Sequence, residues 1–252
     1  MKIDALLGRL GVLPEQAGRM AGLIQDAGLE LVSLYAHFSN IEDTTDLGHA
    51  RKQIAAFKQA YDAVKAVFPG VERHLSATSG LMTVESDLAS DWVRLGIGLY
   101  GLYPSDELAA SQASLALRPV LRWVSHLALA KQIPAGHPVG YGLSYIAQRA
   151  MVIGIVPQGY SDGYDRGLSN CGEVLVHGQR CPVIGRVAMN MFAIDLTPAP
   201  GARAEDQVIL LGQQGNDRIT AEEMATKLGT INYEAVTRIS PLLPRVLVNA
   251  EG

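Results

Sequence analysis

Arg118-Pro119-Val120-Leu121-Arg122-Trp123-Val124-Ser125-His126-Leu127-Ala128-Leu129-Ala130 marks where the texture of this chain changes. Before it, strand-like and helix-like patterns alternate. After it, short apolar runs bounded by glycine, proline and asparagine follow one another. The first texture belongs to β-α units with a parallel sheet, the second to a β-rich domain. The reading divides the chain into residues 1–116 and 117–252.

Upstream of that stretch, Lys2 to Ala5 opens a unit. Pro14 to Ala27 predicts a helix, with proline in its first turn and Gly28 after its end. Leu29 to Phe38 predicts a strand. Asp46 to Val67 has helical spacing at Ile54, Phe57, Ala60, Tyr61, Val64 and Val67, stopped by Pro69-Gly70. Arg73 to Ser76 and Trp92 to Leu95 predict further short strands, giving about four β-α units. A closed β-α barrel takes eight units and about 250 residues, and an open sheet of half that size has unpaired edges. The segment therefore reads as starting in the middle of something larger.

Downstream, strands are expected at Val120 to Ala130, Ala150 to Val156, Glu173 to Val176, Cys181 to Val187, Met191 to Leu196 and Gln207 to Leu211. His177-Gly178-Gln179-Arg180 predicts a hairpin turn. Thr220, with Glu223 three residues on, predicts the cap of a helix running to Leu228.

Composition narrows the function. Of the 252 residues, 48% are hydrophobic and 18% charged, which suits a globular chain with a real core. A net charge of -4, without a Lys/Arg cluster, argues against nucleic acid as a partner. Arg122 and His126 interrupt the longest apolar stretch, so no membrane span is expected. Met1-Lys2-Ile3-Asp4 does not read as a signal peptide. Cys171 and Cys181 flank a hairpin, where a cross-strand disulfide and two reduced thiols are both open readings. The second suits a cytoplasmic protein. Metal partners at short spacing are not visible.

Two loops carry chemistry. Gly154-Ile155-Val156-Pro157-Gln158-Gly159-Tyr160-Ser161-Asp162-Gly163-Tyr164-Asp165-Arg166 ends an apolar run in glycine and an Asp-Gly turn, so both phenols and the guanidinium are expected to project from it. Gly140-Tyr141-Gly142 holds another tyrosine between glycines. Gly96-Ile97-Gly98-Leu99-Tyr100-Gly101 matches a dinucleotide-binding pattern but lacks a good helix start behind it. Backbone amides meeting a phosphate, or a tight turn alone, remain as readings. His37 and His74 stand at neighbouring strand ends, where a structural or a catalytic part is open to each.

Together these segments resemble the alanine racemase family. Lys2-Ile3-Asp4 with Gly8-Arg9-Leu10-Gly11, Ala36-His37-Phe38, Arg94-Leu95-Gly96-Ile97-Gly98-Leu99-Tyr100-Gly101, Val139-Gly140-Tyr141-Gly142, the Gly159–Gly163 block, Gly185-Arg186-Val187-Ala188-Met189 and Asn232-Tyr233-Glu234 look like the family's motifs in order. The resemblance implies the C-terminal half of a (β/α)8 TIM-like barrel followed by a mainly β domain, an α/β plus β chain. It implies a cytoplasmic, head-to-tail homodimer that interconverts L- and D-alanine with pyridoxal 5'-phosphate for peptidoglycan synthesis. By resemblance, Tyr141 is the phenol base, tuned by His37 and Arg94, and Arg94 also faces the pyridine nitrogen. Ser79, Gly96, Ile97 and Tyr233 would hold the phosphate. Arg9 would face the substrate carboxylate with Lys2 behind it, as a carbamate in many members. Tyr160 and Met189 would line the entrance and pocket from the partner subunit.

The sequence departs from the family in places. Asp4-Ala5-Leu6-Leu7 replaces D-T-G-M, Thr78 replaces an asparagine, Ala188 a cysteine and Asn190 an aspartate. The family's cofactor-anchoring (Schiff-base) lysine lies in V-K-A-N-A-Y-G-H-G, and no such segment occurs here. Lys2, Lys52, Lys58, Lys65, Lys131 and Lys227 all have other contexts. The expectation is a chain without the first half-barrel, inactive alone. A related racemase for serine or several amino acids, and a non-catalytic module that complements a separate N-terminal half, are the other readings.

Overall fold

A computed structural model of the chain describes residues 1–42, 46–84 and 90–248. It divides into two compact units, Met1–Pro119 and Val120–Gly252.

In the first unit, short parallel pairings line up strand ends. β1 (Ser33–Tyr35) runs parallel to β2 (Glu72–His74), with Tyr35 opposite His74. Lys2 forms a parallel bridge to Tyr35, and Ala77 forms one to Arg94. Helices alternate with these segments: α1 (Ala17–Asp26), entered through a 3-10 turn at Pro14–Gln16, α2 (Gly48–Lys65), α3 (Thr78–Thr83) and α4 (Asp106–Ser111). α2 buries Ala50, Gln53, Phe57, Ala60 and Val64, one face of a 3.6-residue period. That face packs into a core with Ile3, Leu34, Ile41 and Leu75.

Two expected strands shrink. Leu29 to Phe38 ladders only at Ser33–Tyr35. Trp92 to Leu95 supplies one bridge, at Arg94, because Asp91 and Trp92 both turn their amides onto the single carbonyl of Arg73. The Gly96 motif continues as a 3-10 turn at Ile97–Tyr100, closed by Gly101 in the left-handed region at φ 73°.

The second unit is an eight-stranded sheet with antiparallel pairings. Its strands are β3 (Trp123–His126), β4 (Leu129–Ile133), β5 (Met151–Val156), β6 (Glu173–Val176), β7 (Gln179–Ile184), β8 (Phe192–Asp195), β9 (Gln207–Gln214) and β10 (Asp217–Ile219). The order is β10-β9-β6-β7-β8-β5-β4, and β3 also pairs with β9. The run Val120 to Ala130 is therefore two strands. It breaks at Leu127-Ala128, where the Leu127 amide donates to Asp206 and the Ala128 amide to Ile155, so the halves join different neighbours. His177 (φ 52°) and Gly178 (φ 74°) are both left-handed, as a two-residue primed turn requires. The turn is thus two residues long, and Gln179 and Arg180 already belong to β7. α5 (Ala221–Leu228) and α6 (Asn232–Thr237) follow the sheet, the second without a counterpart in the sequence reading. Cys171 is exposed and Cys181 buried, and both thiols are free.

Candidate active site

Arg94 organises the strand ends of the first unit. Its Nη1 donates to His74 Nδ1 at 2.5 Å and to the His74 carbonyl at 2.8 Å. Its Nη2 donates to the carbonyls of Ala36 (2.7 Å) and Leu75 (3.2 Å) and to His37 Nδ1 (3.2 Å). Guanidinium only donates, so both Nδ1 atoms must be acceptors and both rings carry their proton on Nε2. His74 spends that proton on Ser33 Oγ, 3.3 Å away, and stacks on Tyr35 with ring centroids 5.1 Å apart. Burial, then the Arg94 charge, push both imidazoles below the usual histidine range. The Lys2 ammonium and the Arg94 guanidinium also lie 5.8 Å and 5.4 Å from the Tyr35 ring centre.

The His37 strand end is held from behind by Gln53, which is fully buried. Its amide nitrogen donates to the carbonyls of Ala5 (2.6 Å) and His37 (3.2 Å), and its oxygen accepts from the Ser39 amide and hydroxyl. Arg9 lies on an exposed loop, and its charge adds to that of Arg94 in holding the His37 imidazole down. Asp4 ties that loop by accepting from the amides of Leu7 and Gly8, and these bonds, the Gly8 one foremost, hold its carboxyl below the usual range.

Ser79 is buried at the start of α3 and donates to Glu42 Oε2 at 2.8 Å. Thr78 Oγ1 accepts the amides of Gly96 (3.2 Å) and Gly98 (3.3 Å). A Cβ on Gly98 would stand 2.6 Å from the Thr78 methyl, so the threonine fills the loop from inside. A Cβ on Gly96 would meet nothing within 4 Å. The loop is closed on one side and open on the other.

In the second unit, Tyr141 stands 73% exposed on a turn between left-handed Gly140 and Gly142. The turn rests on the Gly185-Arg186 backbone, since a Cβ on Gly140 would lie 3.2 Å from the Arg186 amide. Tyr141, Met189, Asn190 and Arg186 line one cavity of about 440 Å³. Tyr160 is half-exposed beside it. Its amide donates to the Ala188 carbonyl, and Ser161 donates to the Met189 carbonyl through both N–H (3.0 Å) and Oγ (2.8 Å). Tyr233, half-buried on α6, belongs to this unit too.

Tyr164 corrects the sequence reading. It does not project but is fully buried, stacked on Phe192 at 4.3 Å and edge-on to Trp123 at 6.0 Å. Gly163 at φ 102°, packed against the Arg238 carbonyl, turns the chain inward there.

The family profile described as "Alanine racemase, N-terminal domain" matches residues 1–104, and "Alanine racemase, C-terminal domain" matches residues 120–247. The chain belongs to the alanine racemase family. It is 37% identical to the alanine racemase of Halothermothrix orenii over 253 residues, covering 100% of this chain and 66% of that relative. The alanine racemase of D-cycloserine-producing Streptomyces lavendulae superposes with a TM-score of 0.90 at 34% identity, over 99% of this chain and 66% of that one. That of Bartonella henselae, solved with covalently bound pyridoxal phosphate, gives 0.85 at 26%, over 98% and 66%. The chain thus spans about two thirds of the length of the relatives it matches. Its architecture is that of the alanine racemases, barrel segments followed by an antiparallel β domain.

Within this family frame, the structure brings together Arg94 and His37 in the first unit, and Tyr141, Met189 and Tyr160 in the second. His74 and Gln53 join the first cluster unannounced by any motif. His74 carried a signal, its place beside His37 at the next strand end. Gln53 carried none, because an amide on an amphipathic helix reads as surface.

Proposed function

We propose that the chain provides the phenol-base side of a pyridoxal 5'-phosphate-dependent alanine racemase that supplies D-alanine for peptidoglycan. The supporting observation is the Arg94 guanidinium pinned to the Nδ1 of His37. That bond directs the His37 proton to Nε2, where it can be donated to a phenolate oxygen. Such a donor stabilises ionised tyrosine and makes Tyr141 a competent base. The residues present suit the cofactor: a buried Ser79 hydroxyl, a glycine loop open at Gly96, and a guanidinium fixed by three carbonyls. Ser79, Gly96, Ile97 and Tyr233 would hold the phosphate, and Arg94 would face the ring nitrogen as a permanent charge. When bound, the cofactor supplies the electron sink that acidifies the α-proton of alanine. Arg9 and Lys2 would orient the substrate carboxylate. Tyr141, Met189 and Tyr160 would act from the partner subunit of a cytoplasmic homodimer.

The four parallel segments of the first unit would form the C-terminal half of a (β/α)8 barrel. Catalysis also needs a cofactor-anchoring lysine in the family's context, which these residues lack. The test is to join the chain in frame to lysine-bearing β-α units of a relative and assay L-alanine racemisation with added cofactor. The joined chain should be active, and Tyr141→Phe should lower kcat at least about 100-fold. Full activity in Tyr141→Phe would sink the reading. Asn190, lining the cavity where the family has aspartate, supports a second reading of wider specificity. Comparing kcat/KM for serine and alanine decides it, and a ratio unchanged by Asn190→Asp removes it.

A further inference from the structure

We infer that the Glu42 carboxylate competes with phosphate for Ser79 and thereby sets how tightly the first unit takes a phosphorylated ligand. The inference rests on the phosphate role proposed above for Ser79. Ser79 has one hydroxyl proton and donates it to Glu42 Oε2 at 2.8 Å. A phosphate oxygen at Ser79 needs the same proton, so the two anions exclude each other there. The serine cannot retreat to serve both. It lies on α3, where the next residue, Gly80, is wedged so closely that a Cβ would lie 2.9 Å from Ser76 Oγ and 3.1 Å from the Phe38 ring. Glu42 is placed by Ile41, which is 4% exposed and packed into the first unit's core.

The rest of the loop shows the same self-occupancy. The amides of Gly96 and Gly98 already donate to Thr78 Oγ1. Thr78 is neutral and leaves the loop's charge unchanged, whereas Glu42 brings a negative charge to the position a phosphate would take. A phosphorylated ligand must therefore displace Glu42 from Ser79 and hold its own charge near the displaced carboxylate. A ligand of the same ring without the phosphate meets neither cost.

The test uses the 252-residue chain and isothermal titration with inorganic phosphate, pyridoxal 5'-phosphate and pyridoxal. Glu42→Ala and Glu42→Gln should bind phosphate and pyridoxal 5'-phosphate about tenfold or more tightly than the wild type, since unit charges a few ångströms apart repel on that scale. Pyridoxal binding should not change, and adding Ser79→Ala should abolish the gain. The glutamine variant, closest in shape, guards against loss of fold in the alanine variant. Phosphate binding that falls in Ser79→Ala but is unmoved by either Glu42 variant overturns the inference and leaves the phosphate role of Ser79 standing. Binding indifferent to Ser79→Ala overturns that role as well. Absence of phosphate binding in every variant overturns both.

Discussion

Arg94 concentrates five donated hydrogen bonds on three carbonyls and two imidazoles. A lysine there keeps the charge but has three donors from a single point, so Arg94→Lys should cost about 1–3 kcal/mol through carbonyls left without partners. Denaturant unfolding of the two proteins checks it, and equal midpoints would refute the account. Tyr164 makes the opposite case. Its hydroxyl is buried and has no hydrogen-bond partner among the described residues, and burial raises its pKa well above the ordinary phenol value. Removing an unpaired hydroxyl removes a desolvation penalty, so Tyr164→Phe should be neutral or stabilising by up to about 1 kcal/mol. A lowered melting temperature would show that the hydroxyl has a partner. These two residues also show what was legible. Arg94 and His37 sit in segments that resemble family motifs, and that resemblance, not their spacing, singled them out. Tyr164 sits in the same glycine-rich loop as Tyr160, yet which phenol faces the core is decided by Phe192 and Trp123, both distant in sequence.

Among the elements, the predictable ones are those whose signal is local. α2 is found within two residues at each end, because its apolar period and its Pro-Gly stop are both in the sequence. The α5 cap is found as well: Thr220 Oγ1 accepts the Glu223 amide at 3.1 Å. Glu223, expected to reach back to that cap, is drawn instead to Arg180 at 2.6 Å and Lys227 at 3.3 Å. Thr220→Ala should therefore cost about 1 kcal/mol and Thr220→Ser very little. The split of Val120 to Ala130 into β3 and β4 was not legible, because apolar continuity says nothing about which strands lie alongside. The Gly159 turn depends on such a remote partner too. A Cβ there would lie 2.2 Å from the Met189 carbonyl and 2.3 Å from the Ala188 carbonyl. Neither atom belongs to a flexible side chain, so Gly159→Ala should destabilise by about 3 kcal/mol. Faster hydrogen exchange at the Tyr160 and Ser161 amides would accompany it, and unchanged protection there would refute the clamp.

At the scale of the molecule, the two units should respond differently to acid. In the first, His37 and His74 titrate below the ordinary histidine value, through burial and then Arg94. The unfolded chain then binds protons first, so their contribution is full above about pH 6.5 and is lost as pH falls through the depressed folded values. In the second unit, Arg180 pairs with Glu173, Asp217 and Glu223, and Lys227 with Glu173 and Glu223. Asp217 is held below the carboxylate range by the Arg180 hydrogen bond. For Glu223 burial pulls upward, but the bonds from Arg180 and Lys227 outweigh it. That stability is present above about pH 4 and is lost only as pH falls through the lowered carboxylate values. The chain has two tryptophans, one for each unit. Trp92 is 60% exposed in the first and bonded to Glu72, and Trp123 is 5% exposed in the second beside Tyr164. In an acid titration at fixed temperature, Trp123→Phe should therefore report a transition at higher pH than Trp92→Phe. His37→Asn with His74→Asn should move the first transition to lower pH and leave the second in place. Coincident transitions in the two single-tryptophan proteins would mean that the histidine cluster does not set the acid limit of the first unit.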